Sequence, residues 1–238
     1  MKHPLLICFL SLFALIAFAE DDKAEWETEA QASVLLTGGN TSVTTIGAGA
    51  KTKYKPGDWA YSGAGNFLTS KNSGNKTAEE VTASLRADRS LTETASLFAN
   101  LAYLQNFFAG FSSRYSADLG YSFGIFQNDA HKLNGEISFG YQIERRTSGV
   151  DNDFLNFASA LIYEYVLSKT SKFSSALRFK ENLETTSDWR LNWDNSLSVR
   201  MTEMLSLQVG FVVGHLNVPV AGKLKTDTAT TLAVVANF

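Results

Sequence analysis

The chain has 238 residues, 21 Lys+Arg against 24 Asp+Glu for a formal net charge of -3, and 45% hydrophobic residues. The near balance of charge excludes the basic footprint of a nucleic-acid binder, and the apolar content excludes a disordered chain. With Cys8 as the one cysteine, neither a disulfide framework nor a cysteine-based metal site is available.

Lys2 and His3 precede an apolar run from Leu5 to Phe18, and Ala17-Phe18-Ala19 leads into the acidic Glu20-Asp21-Asp22. A positive start, a short apolar run and a small-x-small site form the pattern of a cleaved export signal over residues 1–19, leaving a mature chain over 20–238. The run falls short of the roughly 20 apolar residues that a spanning helix needs. Cys8 leaves with the signal, and His131 and His215 are the histidines that remain. Beyond Phe18 no apolar stretch approaches a spanning helix, so entry into a membrane requires a closed sheet, which satisfies its own backbone N–H and C=O groups.

From Trp26 the pattern has period two, the signature of strands with two unlike faces. Trp26, Thr28, Ala30, Ala32, Val34 and Leu36 alternate with Glu27, Glu29, Gln31 and Ser33, and after Gly38-Gly39-Asn40-Thr41 the alternation resumes from Thr45 to Tyr54. The spans predicted in chain order are 26–37, 42–55, 59–70, 78–89, 94–105, 114–126, 132–144, 154–167, 172–184, 189–201, 205–217 and 226–238. These about twelve segments are near the length of membrane strands. Short connections such as Pro56-Gly57-Asp58, Ser90 to Glu93, Gln127 to His131, Ser168 to Ser171 and Thr202 to Met204 are expected on the periplasmic side. Longer polar ones, Lys71 to Thr77, Asn106 to Ser113, Arg145 to Asp153 and Val218 to Lys225, are expected outside, together with two brief ones after Leu36 and after Glu184 that leave the asymmetry incomplete.

A soluble barrel shows the same alternation with its apolar side chains inward, so period alone does not orient the faces. Charge at mid-strand does. Arg86, Arg114, Asp118, Glu136, Glu164, Arg178, Lys180, Arg190, Asp194 and Arg200 share the polar face, opposite a face carrying Leu85, Leu101, Leu119, Phe139, Leu161, Leu197 and Phe211. A ring of about twelve strands is wider than one of about eight, whose interior side chains can just fill, so an apolar interior would be hollow. The expected fold is therefore an all-β transmembrane antiparallel barrel in the bacterial outer membrane, lipid on its apolar face and the ten charges lining the lumen. Trp26, Trp59, Trp189, Tyr54, Tyr141 and Tyr163 fall near strand ends, where interfacial girdles run.

The chain ends on Phe238 with Leu232, Val234 and Ala236 at every second position before it. This resembles the terminal signal read by the barrel assembly machinery. Tyr103 through Phe111, followed by Arg114 and Leu119-Gly120-Tyr121, resembles the central motif of the family of salt-induced outer membrane proteins, whose function is unknown. Gly38-Gly39-Asn40-Thr41, Gly140-Tyr141, the Asn217 to Pro219 turn and Lys225 to Thr228 match further positions over nearly the whole mature chain. Leu104-Gln105-Asn106 departs from it, standing where that family typically carries acidic and basic residues. The resemblance implies a barrel with no established catalytic activity and a link to salt.

The residues themselves carry little enzyme chemistry. His215 lies with the apolar set near the outer rim, where it faces lipid headgroups, and His131 sits in a turn beside Asp129, where it is solvated. Glu136, Glu164, Asp118 and Asp194 are interleaved with arginines and lysines and read as neutralising pairs rather than acid/base catalysts. No glycine-rich loop opens a helix and no calcium-loop spacing occurs, so no cofactor or metal is expected. The expected function is a monomeric, non-enzymatic, narrow and weakly selective pore or envelope barrel, responsive to salt or osmotic conditions, whose partners are outer-membrane lipids and the assembly machinery. Pairing of Arg178 with Asp194 is expected to narrow the lumen. The alternatives are a lipid hydrolase using His215 and a surface-binding barrel using Lys71 to Thr77 or Arg145 to Asp153.

Overall fold

A computed structural model describes residues 25–37, 43–72 and 74–238. The export signal read over residues 1–19 lies outside the described residues. The described residues form twelve strands: β1 (Glu25–Thr37), β2 (Val43–Lys55), β3 (Trp59–Asn72), β4 (Asn75–Ser90), β5 (Ala95–Asn106), β6 (Phe111–Gln127), β7 (His131–Arg146), β8 (Asn152–Val166), β9 (Ser171–Asn182), β10 (Trp189–Arg200), β11 (Leu205–Leu216) and β12 (Thr226–Asn237). Each pairs antiparallel with its chain neighbours, and β12 returns to β1 to close the barrel. Reciprocal backbone bonds, Thr28 N to Phe238 O at 3.2 Å and Phe238 N to Thr28 O at 2.8 Å, finish the seam. Pairing across this seam runs from Glu29 with Asn237 to Ala32 with Val234, shorter than between the other neighbouring strands.

The predicted strands appear in order, with the largest shifts at their distal ends, away from the termini. Strand β4 begins at Asn75 and β6 at Phe111, because backbone pairing continues through polar residues that carry no apolar alternation. Asn72 pairs with Asn75, so most of the expected connection from Lys71 to Thr77 is strand. The connection expected over Asn106 to Ser113 shortens to 107–110 and that over Arg145 to Asp153 to 147–151, while 183–188 and 217–225 are longer. Of the two distal connections expected to be brief, the one after Leu36 lies outside the described residues and the one after Glu184 spans 183–188.

Burial runs opposite to that of a soluble domain. Leu119 is 70% exposed, Leu85 65% and Phe139 62%, whereas Gln142, Glu144 and Asn156 are among the largest fully buried side chains. The exposed apolar residues form a belt around the outside, bordered by aromatic pairs. Toward the terminal end Trp26 stacks on Tyr54 at 4.4 Å and Arg89 lies over Trp59 at 5.7 Å. His131 joins this border: it stacks on Tyr165 at 4.3 Å and its Nδ1 lies 2.7 Å from the Tyr163 hydroxyl. It is therefore not the freely solvated turn residue that its place beside Asp129 suggested. Toward the distal end Tyr103 meets Tyr115, and Trp189 stacks on His215 at 5.0 Å.

Candidate functional site

Ion pairs between strands that are not neighbours must cross the barrel interior. Arg86 on β4 reaches Glu136 on β7 at 2.8 Å, and Lys180 on β9 reaches Asp118 on β6 at 3.4 Å. Arg190 on β10 is bonded to Glu144 on β7. These six residues are thereby placed on the lumen side, and their contacts divide the lumen into layers.

The densest layer fills the distal half. Glu144, fully buried, receives Arg190, Arg114 at 2.8 Å and Arg146 at 2.9 Å. Gln142 donates to the same carboxylate at 2.6 Å and lies 3.4 Å from Lys180 Nζ through its own carbonyl oxygen. Asp188 adds a second carboxylate, 3.3 Å from Arg190 and held by Asn152 and Asn182. Three arginines thus share two carboxylates in a space from which water is largely excluded. Such clusters are held together by direct hydrogen bonding, because an unpaired charge in that position carries a desolvation penalty of several kcal/mol. Asn156, also fully buried, has no hydrogen-bond partner among the described residues for either amide atom.

Local backbone devices aim these side chains. Strict alternation would send Phe111 and Arg114 to opposite faces. A register shift between Phe111 and Ser113 places Phe111 opposite Arg146, on the inner face, and the Arg114 guanidinium lies 3.8 Å over its ring. Re-aiming a side chain in this way is a common effect of a bulge. Gly110, at φ +93°, turns the chain into β6, and a Cβ there would stand 2.7 Å from Val220 Cβ. Val220 comes from the 217–225 connection and is 4% exposed, so that loop folds over the distal mouth. At Gly140 a Cβ would collide with the Asp118 carboxylate, so the missing side chain is what lets Asp118 face Lys180.

Nearer the terminal end Arg86 bridges Asp88 and Glu136 and lies 3.9 Å over Phe98. Also at the terminal end, on the side of β1, β2 and β8–β12, is a cavity of about 540 Å³ lined by serines, lysines and Arg200. Arg178 and Asp194 are bonded, but they project from the adjacent strands β9 and β10 and remain half exposed. Their pair links neighbouring strands along the wall rather than crossing the lumen. Glu164 lies in register with Lys132 on one side and Ser174 on the other, outside the cross-lumen pairs. Arg146, Asp188, Gln142 and Asn182 complete the distal cluster without having stood out in the sequence. Gln142, Glu144 and Arg146 share one parity on β7, a signal that was present; Asp188 lies in a connection, where alternation gives none.

His215 faces outward on β11, its Nδ1 2.8 Å from Thr226 Oγ1 and its ring against Trp189. The four positions of the terminal pattern lie on β12 and its end: Leu232, Val234 and Phe238 are exposed and Ala236 is half-buried.

The profile of the family described as "Protein of unknown function, DUF481" matches residues 30–238. The chain belongs to this family. A relative of Escherichia coli (strain K12), "Uncharacterized protein YdiY", is 24% identical over 226 residues, 94% of this chain and 88% of the relative. Among solved structures, the COG4313 outer membrane channel from Pseudomonas putida F1 superposes with a TM-score of 0.54 at 12% identity, covering 93% of this chain and 100% of that one. The NanC porin, at 9% identity, covers 90% of this chain and 98% of its own with a TM-score of 0.49. The likeness to the COG4313 channel shows that this DUF481 member has the fold of an outer-membrane barrel.

Proposed function

We propose that the protein resides in the outer membrane as a monomeric, non-enzymatic barrel and acts as a narrow, weakly selective pore. The observation that carries this reading is the chain of cross-lumen ion pairs inside a belt of exposed apolar side chains. A belt of that kind is stable against lipid, and charges of both signs at the constriction give little ion preference. The terminal end then faces the periplasm and the 217–225 loop faces outward. A planar bilayer containing the purified barrel should show small, discrete conductance steps with a reversal potential near zero in a salt gradient. Large open steps, or strong preference for one sign, would overturn the reading, as would a silent barrel that cleaves phospholipid. Against the hydrolase alternative, the His215 ring is occupied by Trp189 and Thr226 in an aromatic border. Against the surface-binding alternative, most of Lys71 to Thr77 is strand.

The proposed response to external salt rests on the same network. Screening weakens the more exposed pairs first, so conductance should rise more steeply with salt than that of the bulk solution. A strictly proportional rise would remove the salt response while leaving the pore.

Phe238 is 70% exposed at the seam, its backbone already paired with Thr28. Its ring contributes little to the finished lumen and is proposed to serve recognition by the assembly machinery. Deleting Phe238 should lower the yield of membrane-inserted barrel in cells; equal yield with and without it would contradict this role.

A further inference from the structure

The two halves of the lumen differ in how their cations are satisfied. In the distal half Arg114, Arg146, Arg190 and Lys180 each have a carboxylate partner. In the cavity at the terminal end the side chains of Lys169, Lys172 and Arg200 have no ion-pair partner among the described residues. Lys51 there is held by Glu29 at 2.8 Å, and Glu27, which feels the field of Lys172, is bonded to Lys55 at 2.9 Å. The lining counts four cations, Lys51, Lys169, Lys172 and Arg200, against two carboxylates, Glu29 and Glu203, a surplus of two positive charges.

The surplus is focused. Lys172 stands directly opposite Ser198 across β9 and β10, and Arg200 follows Ser198 by two residues on the same face, itself opposite Ser206 on β11. Lys172 and Arg200 are thus diagonal neighbours, with Cα atoms on the order of 7–8 Å apart, and Ser198 shares their face beside both. Like charges at that spacing disfavour each other unless an anion lies between them. Ser174 and Ser196, paired in register, continue the patch as a wall of hydroxyls.

We propose that this vestibule binds a small anionic solute rich in hydroxyl groups, of the sugar-phosphate class. Lys172 and Arg200 take the anionic group through charge-assisted hydrogen bonds, and the serines exchange hydrogen bonds with the solute's hydroxyls. A cavity of about 540 Å³ is the size of an ordinary small-ligand pocket. Its mouth is at the terminal end, and the charged layers and Val220 narrow the other, so the solute enters from the side on which the termini lie.

The inference names a solute for the proposed pore, yet binding does not require conduction, so the two fail separately. Titration calorimetry on the intact barrel in detergent, with glucose 6-phosphate as the probe, should show saturable binding. Inorganic phosphate should bind more weakly and glucose should not bind measurably. Lys172→Gln combined with Arg200→Gln should weaken the glucose 6-phosphate affinity by about tenfold or more, the loss of at least one charge-assisted contact. Lys172→Arg should retain it, and all variants should keep the mobility of a folded barrel on unheated gels. No binding, or binding unchanged in the double variant, would overturn the proposal. Glucose binding as tightly as glucose 6-phosphate would overturn the anionic part, and phosphate binding equally tightly the hydroxyl part.

Discussion

Replacing Glu144 with Gln should destabilise the barrel by roughly 3–5 kcal/mol, the range for removing one partner of a buried ion pair. The carboxylate is fully buried and is the shared partner of Arg114, Arg146 and Arg190. Its neutralisation leaves those three cations with Asp188 as the remaining carboxylate of the cluster. Gln preserves shape, so the effect reports charge rather than a cavity. The same change should make the pore anion-selective and raise its conductance, because the arginines lose the group that draws them across the lumen. Adding Arg114→Gln should recover part of the stability, a coupling that independent sites do not show. Urea midpoints in detergent and reversal potentials in a salt gradient measure the two effects. If the single variant unfolds at the wild-type midpoint and keeps a near-zero reversal potential, Glu144 does not organise the constriction.

Leu101→Arg and Leu197→Arg should each cost about 2–4 kcal/mol, the penalty for a cation in the lipid-facing middle of a barrel. Both leucines are among the exposed apolar residues of the outer belt. Ser84→Arg, whose side chain shares the inner face with Arg86, should cost less, because the new cation enters a polar lumen among small residues such as Ala64 and Ala102. Unfolding from lipid vesicles measures all three. A larger loss for Ser84→Arg than for Leu101→Arg would mean that the apolar face is not against lipid.

Period two carried most of the fold. Because side chains on a strand alternate with an unvarying period, Leu85, Leu101 and Leu119 could be separated from Arg86 and Asp118 by counting alone. Strand ends were less legible. Pairing at Asn72 and Asn75 is a backbone event between residues that look like loop, and composition gives no sign of it. The candidate site was legible as a set of inward charges but not as a set of partners. Arg178 and Asp194 looked like a pair that spans the lumen and turned out to lie side by side on the wall, while Glu144 and Asp188 hold the arginines that do span it.

The sequence by itself determined that the strands would be amphipathic, from their alternation, and that charge would lie inside and the apolar face outside, from the charges at mid-strand and the width of a ring of about twelve strands. The tertiary structure decided which charges meet. Contacts such as Arg86 with Glu136, 50 residues apart, depend on the registers of every strand between them and on the diameter that those registers impose. One inserted residue, as at Ser112, moves a side chain to the other face, so the identity of the charged layers and of the unneutralised vestibule exists only once the ring is closed.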